Sequence, residues 1–159
     1  MRTTTDWRIE PRAWDDPEGV ALRAGQRAEL DARFGRDDHE PGPVPSASDM
    51  EVFLVAVGED GAAVACGGLR ELEPGTAEVK RMFVRPETRG SGVAPALLAA
   101  LEATARERGW HTLRLETGDE ARMPDANRFY EREGYLRIPR YGHYVDSDIS
   151  ICYEKRLDR

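Results

Sequence analysis

The sequence predicts an α/β (α+β) domain built on one central sheet, its elements running βααβββαβαββ, with six to seven strands in the sheet and about four helices. Three observations carry this reading. Two apolar runs, residues 51–58 and 62–72, flank Glu59-Asp60-Gly61, whose Asp-Gly pair signals a hairpin. A glycine-rich junction, Arg89-Gly90-Ser91-Gly92-Val93-Ala94, separates a strand-like run from the most regular helical pattern in the chain. Beyond that helix, strand-like and helical segments alternate to the C-terminus. At 159 residues, the chain fits one domain spanning 1–159.

Residues 6–11 alternate apolar Trp7 and Ile9 with polar neighbours, as a first strand does. Residues 19–34 place Val20, Leu22, Ala24, Ala28, Leu30 and Phe34 at helical spacing, and Gly25 marks a point where one helix could become two. Residues 35–49, rich in Gly, Pro, Asp and Ser, read as a loop. After the hairpin, residues 76–84 form a third strand of the same sheet, entered by the Pro74-Gly75 turn and ended by Arg85-Pro86, since proline cannot continue the ladder. In residues 92–108, Ala94, Leu97, Leu98, Leu101 and Ala105 share a helical face, Pro95 sits in the tolerant first turn and Gly109 stops the helix. Residues 112–116 follow as a strand, 125–133 as a helix ended by Gly134, and 135–138 and 149–156 as the last strands.

Composition narrows the function classes. A formal net charge of −7 is wrong for a general nucleic-acid binder, which needs clustered Lys and Arg against phosphates. No run approaches the roughly 20 apolar residues of a membrane span, and residues 1–10 lack the apolar stretch of a secretory signal, so a cytoplasmic protein is expected. Cys66 and Cys152 have neither CxxC spacing nor nearby histidines, so both are expected to be buried, inert thiols and no metal site is expected.

The glycine-rich junction has the chemistry of a phosphate cradle. The first turn of a helix carries amides without intrahelical partners and the positive end of the macrodipole. Gly90 and Gly92 would let the backbone approach an anion without a Cβ in the way, and Arg89 supplies a delocalised cation. A P-loop would need Gly-Lys-Ser/Thr, which is missing. A dinucleotide fingerprint would accept Gly90, Gly92 and an acidic Glu116 further on, but its third glycine is Pro95, and residues 85–89 lengthen the strand-to-helix turn.

The run from Glu78 to Leu98, EVKRMFVRPETRGSGVAPALL, resembles the acetyl-CoA-binding signature of the GNAT superfamily of N-acetyltransferases, its Arg/Gln-x-x-Gly-x-Gly/Ala core falling on Arg89 to Ala94. Asn127-Arg-Phe-Tyr-Glu-Arg-Glu-Gly-Tyr135 resembles that family's second signature. The resemblance implies a mixed, largely antiparallel sheet whose fourth and fifth strands, residues 76–84 and 112–116, splay to admit the coenzyme. It implies acetyl-CoA as cosubstrate, bound by Met82, Phe83, Val84, Arg89, Gly90, Ser91, Gly92, Val93, Ala94 and Asn127. It also implies direct attack by an amine on the thioester, with Tyr130 as general acid and Glu78 as a candidate base on the strand face of Met82. Phe129 is expected to belong to the core, and relatives' habits allow a homodimer.

The acceptor is the least legible part. Asp37, Asp38 and Glu40 could attract a cationic amine, and Tyr141, His143 and Tyr144 could line a pocket, while His39 and His143 read as bystanders. No appended segment for docking a protein is evident, which favours a small-molecule amine, with neither nucleic acid nor membrane as partner. The alternatives are a protein or peptide N-acetyltransferase, a catalytically silent acetyl-CoA sensor, and a nicotinamide-nucleotide binder.

Overall fold

The computed structural model describes residues 7–37, 39 and 41–157. Seven strands form one sheet: β1 (Arg8–Pro11), β2 (Val52–Val57), β3 (Ala63–Glu73), β4 (Thr76–Val84), β5 (Thr112–Gly118), β6 (Leu136–Ile138) and β7 (Ser150–Arg156), ordered β1-β2-β3-β4-β5-β7-β6. Every neighbouring pair is antiparallel except β4 and β5, so the sheet is mixed and largely antiparallel, as expected. Helices α1 (Pro17–Phe34), α2 (Val93–Glu107) and α3 (Pro124–Arg132) cover its two faces. Among the described residues no helix is long and apolar enough to cross a membrane.

The described residues hold three α-helices, one fewer than the sequence suggests, because α1 runs unbroken through Gly25. A Cβ at that glycine would lie 3.4 Å from the Phe83 ring, at ordinary van der Waals contact. Asp16 caps α1 by accepting from the Gly19 amide at 3.1 Å, Pro17 opens its first turn, and Gly35, at φ 69°, ends it.

Strand β2 is buried throughout because both its faces are covered. Val52, Leu54 and Ala56 join Leu97, Leu98 and Leu101 of α2 and Tyr130 of α3 in the larger core, whereas Phe53, Val55 and Val57 meet Leu22 of α1 on the other side. At about 25 cal/mol per Å² of apolar surface, these two layers supply most of the drive to fold.

Strand β4 carries a bulge that reverses its alternation. Gly68 pairs with Lys80 and Cys66 with Phe83, so β4 spends one residue more than β3 across this stretch, and Arg81 adopts φ 61°. Val79 faces the larger core before the bulge, and Met82 does so after it. Glu78 therefore lies on the opposite face from Met82, which corrects the expectation that the two share one.

Cys66 and Cys152 are free and buried, as the sequence suggests. Burial pushes the Cys66 thiol up to about 12 and the Cys152 thiol up to about 11, so thiolate is scarce at neutral pH. Ellman's reagent should label neither within minutes on the native protein and both promptly in guanidinium. Fast labelling of the native form would refute the assigned burial.

Candidate active site

Strands β4 and β5 pair only over Thr76–Glu78 and Thr112–Arg114, then diverge. The opening is the central feature of the site. A groove of about 430 Å³ runs from the start of α2 along the end of β4, walled by Met82, Phe83, Val84, Arg89, Gly90 and Ala94 on one side and by Ala126, Phe129 and Tyr130 of α3 on the other. A smaller cavity of about 120 Å³ continues between the strands towards α1, lined by Gln26, His39, Lys80, Arg81, Glu116 and Thr117 among others. Both spaces are bounded by Gln26, Met82 and Tyr130, so they meet at those side chains.

The groove's far end is built for an anion. Gly92 caps α2 in the left-handed region at φ 94°, no side chain caps the first turn, and no carboxylate lies within it. Gly90, at φ 81°, and Gly92 face open space where a Cβ would stand. The Ser91 hydroxyl oxygen is buried without a hydrogen-bond partner among the described residues, an orphan that a ligand oxygen could satisfy. Val93 and Ala94 supply first-turn amides. Arg89 is pinned in place, donating from Nε to the Val84 carbonyl at 3.0 Å and from the guanidinium to Glu29 at 2.5 Å. Burial works against the charge on Glu29, yet Arg89 and Arg33 hold its carboxyl below the usual range. Arg33, Arg128 and Arg132 complete a basic rim. These features fit a diphosphate.

Tyr130 stands where groove and cavity meet. It is 7 % exposed, its ring packs against Phe129, Tyr135 and Tyr153, and its hydroxyl has no hydrogen-bond partner among the described residues. Burial pushes its pKa well above the ordinary tyrosine value, so it stays protonated throughout the physiological range. Phe129 is half-buried: it packs against the larger core, as expected, and also lines the groove beside Tyr130.

Asn127 does not face the groove. At 2 % exposure, it donates to the carbonyls of Gly118 and Met123 at 3.0 and 2.8 Å and accepts from the Tyr153 hydroxyl at 2.7 Å. Its amide ties α3 to the end of β5, and so it fixes where Tyr130 stands.

Glu78 is sealed from both spaces. It is 1 % exposed, with Oε1 accepting from Arg70 Nε at 3.0 Å and Oε2 from the hydroxyls of Tyr141 and Tyr144 at 2.6 and 2.9 Å. Tyr141 and Tyr144 thus back the site rather than line it, and His143 is exposed and packed against Gly42. Asp37 is exposed and outside the cavity, and Asp38 and Glu40 lie outside the described residues. His39, read from the sequence as a bystander, lines the cavity, bonded to Asp31 at 2.8 Å and stacked on Phe34. Sequence reasoning also missed Gln26, which donates to the Met82 carbonyl at 2.9 Å, and the Lys80 and Glu116 walls.

The comparisons agree with this geometry. The model of the acetyltransferase (GNAT) family matches residues 10–135. An "IAA acetyltransferase" of Azospirillum brasilense is 38% identical over 108 residues, covering 66% of this chain and 67% of that protein. An acetyltransferase of Agrobacterium fabrum is 33% identical over 110 residues, 69% of this chain and 77% of its own. A solved Klebsiella pneumoniae structure, described as a candidate acyl-CoA N-acyltransferase, superposes with a TM-score of 0.81 at 34% identity, covering 96% of this chain and 98% of that one. A GNAT acetyltransferase from Elizabethkingia anophelis, solved with acetyl-CoA bound, shares the fold at a TM-score of 0.69 and 14% identity, over 94% of this chain and 97% of its own. With its splayed strands, uncapped glycine cradle and centrally placed tyrosine, this chain belongs to the GNAT family of acetyltransferases.

Proposed function

We propose that the protein, acting as a single cytoplasmic domain, transfers an acetyl group from acetyl-CoA to a primary amine of a small molecule by direct attack in a ternary complex. The observation that carries this is the junction at Tyr130 of an anion-binding groove with a second, separate cavity. Two spaces joined at one proton donor suit two substrates held together. Acetyl-CoA in the groove would supply an activated thioester.

The chain's own residues do the rest. The Val93 and Ala94 amides, the open backbone at Gly90 and Gly92, Ser91 Oγ and Arg89 would hold the diphosphate, and Met82, Phe83 and Val84 would run beside the pantetheine arm. Gln26 locks the Met82 carbonyl, which fixes the strand edge against which that arm is laid. Tyr130 holds a proton at its hydroxyl, beside the place where a thiolate would depart. Glu78 orients Tyr144 and, through it, Lys80 in the acceptor wall. The 120 Å³ of the second cavity supports an acceptor with a small head group over a folded protein surface. The solved relative with acetyl-CoA bound supports the cosubstrate.

Calorimetry should register coenzyme A binding, and acetyl-CoA with an amine panel should release free thiol. Gly92→Ala is expected to weaken coenzyme A about tenfold, because an L-residue in the left-handed region costs about 1–2 kcal/mol and the loop relaxes away from the cradle. Unchanged affinity would remove the cradle from the proposal, and binding without turnover on any amine would favour a sensor.

A further inference from the structure

One histidine in the loop that follows α1 is turned inward. Residues 35–37 and 42–44 of that loop are exposed, whereas His39 is 7 % exposed and lines the smaller cavity together with Tyr130. Burying an imidazole costs free energy unless its polar atoms find partners. Only one of its two nitrogens does.

Nε2 lies 2.8 Å from Oδ1 of Asp31 on α1. A carboxylate accepts and cannot donate, so Nε2 carries the proton and Nδ1 is the acceptor of the neutral ring. Nδ1 has no hydrogen-bond partner among the described residues. The ring is also held by stacking on Phe34, with centroids 5.3 Å and planes 25° apart. Phe34 in turn lies over the end of β5, where a Cβ on Gly118 would stand 2.5 Å from it.

A second acceptor in the lining is unused. Gln26 donates from Nε2 to the Met82 carbonyl at 2.9 Å, which leaves its Oε1 buried with no hydrogen-bond partner among the described residues. Two unspent acceptors around one cavity lack a donor, and an amine nitrogen is one.

We propose that His39 is the general base that takes a proton from the incoming ammonium, with Asp31 as its positioning residue. This rests on the N-acetyltransferase reading above. An ammonium has no lone pair, so attack waits until one N–H is given up. Nδ1 accepts that proton, Nε2–H stays on Asp31, and the carboxylate balances the imidazolium formed. The freed lone pair makes the bond from nitrogen to the thioester carbonyl carbon, and the bond from that carbon to sulfur breaks. Tyr130 gives its proton to the departing sulfur. The second proton, shed as the nitrogen becomes an amide, restores Tyr130, and His39 returns the first to solvent. Acid and base thus come from separate elements, α3 and the loop after α1, and share a cavity of about 120 Å³.

Thiol release with primary amines from methylamine to benzylamine, calorimetry with coenzyme A and a thermal melt test this together. His39→Gln should lower kcat about 10²-fold and leave coenzyme A affinity within about twofold. His39→Ala should lose as much and regain about tenfold or more in added imidazole, a rescue that a merely structural histidine would not show. Asp31→Asn, which leaves the imidazolium without its carboxylate, should lower kcat about tenfold. A His39→Gln kcat within about threefold of wild type, or a folded His39→Ala enzyme indifferent to imidazole, would overturn the base and leave the transferase standing. If neither His39 variant folds, proton–nitrogen correlation NMR of the wild-type protein decides: the neutral His39 ring should carry its proton on Nε2, and a proton on Nδ1 would overturn the proposal. Wild-type protein that binds coenzyme A yet releases no thiol with any amine would overturn the transferase reading, and the base with it.

Discussion

Replacing Tyr130 by phenylalanine is expected to lower kcat by about 10²-fold or more while leaving acetyl-CoA affinity within about twofold. The substitution deletes one oxygen and little else. The ring remains wedged among Phe129, Tyr135 and Tyr153, with centroids 5.1, 5.7 and 6.3 Å away. Because the hydroxyl has no hydrogen-bond partner among the described residues, its loss strands no buried group, and stability should change by less than about 1 kcal/mol. On the proposed mechanism, what disappears is a proton donor beside the leaving sulfur. Burial raises the Tyr130 pKa above its ordinary value, so the protonated form is complete at neutral pH and persists beyond pH ~10. The wild-type kcat should accordingly show no loss assignable to this residue between about pH 6 and 9. The same shift makes folding stability decline only as pH climbs past the unfolded tyrosine value near ~10. Steady-state kinetics, calorimetry and a thermal melt on the one variant separate these effects, and a kcat within threefold of wild type would move the proton to another donor.

The parts of this site that could be read in advance are those built from contiguous residues. The proposed diphosphate cradle is one: residues 89–94 hold both glycines, the arginine and the start of α2 in a single stretch, so the uncapped glycine-rich start of α2 is visible in the spacing alone. The hairpin and the long second helix were legible for the same reason. Features that depend on a partner element were not. Gly25 looks like a helix break from within α1, yet the helix runs through it and it faces the Phe83 ring of β4. Glu78, Lys80 and Met82 read as one strand face, and only the pairing of β4 with β3 inserts the bulge that separates them. Lys80 and Glu116 stand 36 positions apart and line one cavity because two parallel strands part company, a relation that neither local sequence carries.

Glu78 is where these two kinds of information collide, and its substitution is expected to have the largest effect on stability. Removing the carboxylate by Glu78→Ala leaves Arg70 without one of its two anionic partners, takes the acceptor from the Tyr141 hydroxyl and leaves the Tyr144 hydroxyl without its carboxylate acceptor, though still bonded to Lys80. Breaking a buried ionic network in this way costs about 3–5 kcal/mol, because the orphaned groups have no water to turn to. At roughly 2–4 °C per kcal/mol for a domain of this size, the melting temperature should fall by about 6 °C or more. The isosteric Glu78→Gln keeps an acceptor for a tyrosine and should cost no more than about 1–2 kcal/mol. That milder variant decides what the residue does. If Glu78 holds Tyr144 and Lys80 in position, Glu78→Gln should raise the acceptor KM several-fold and lower kcat less than tenfold, since no proton passes through it. A folded Glu78→Gln enzyme whose kcat falls about 10²-fold at unchanged KM would instead make the carboxylate a general base, with a route to the acceptor through Tyr144.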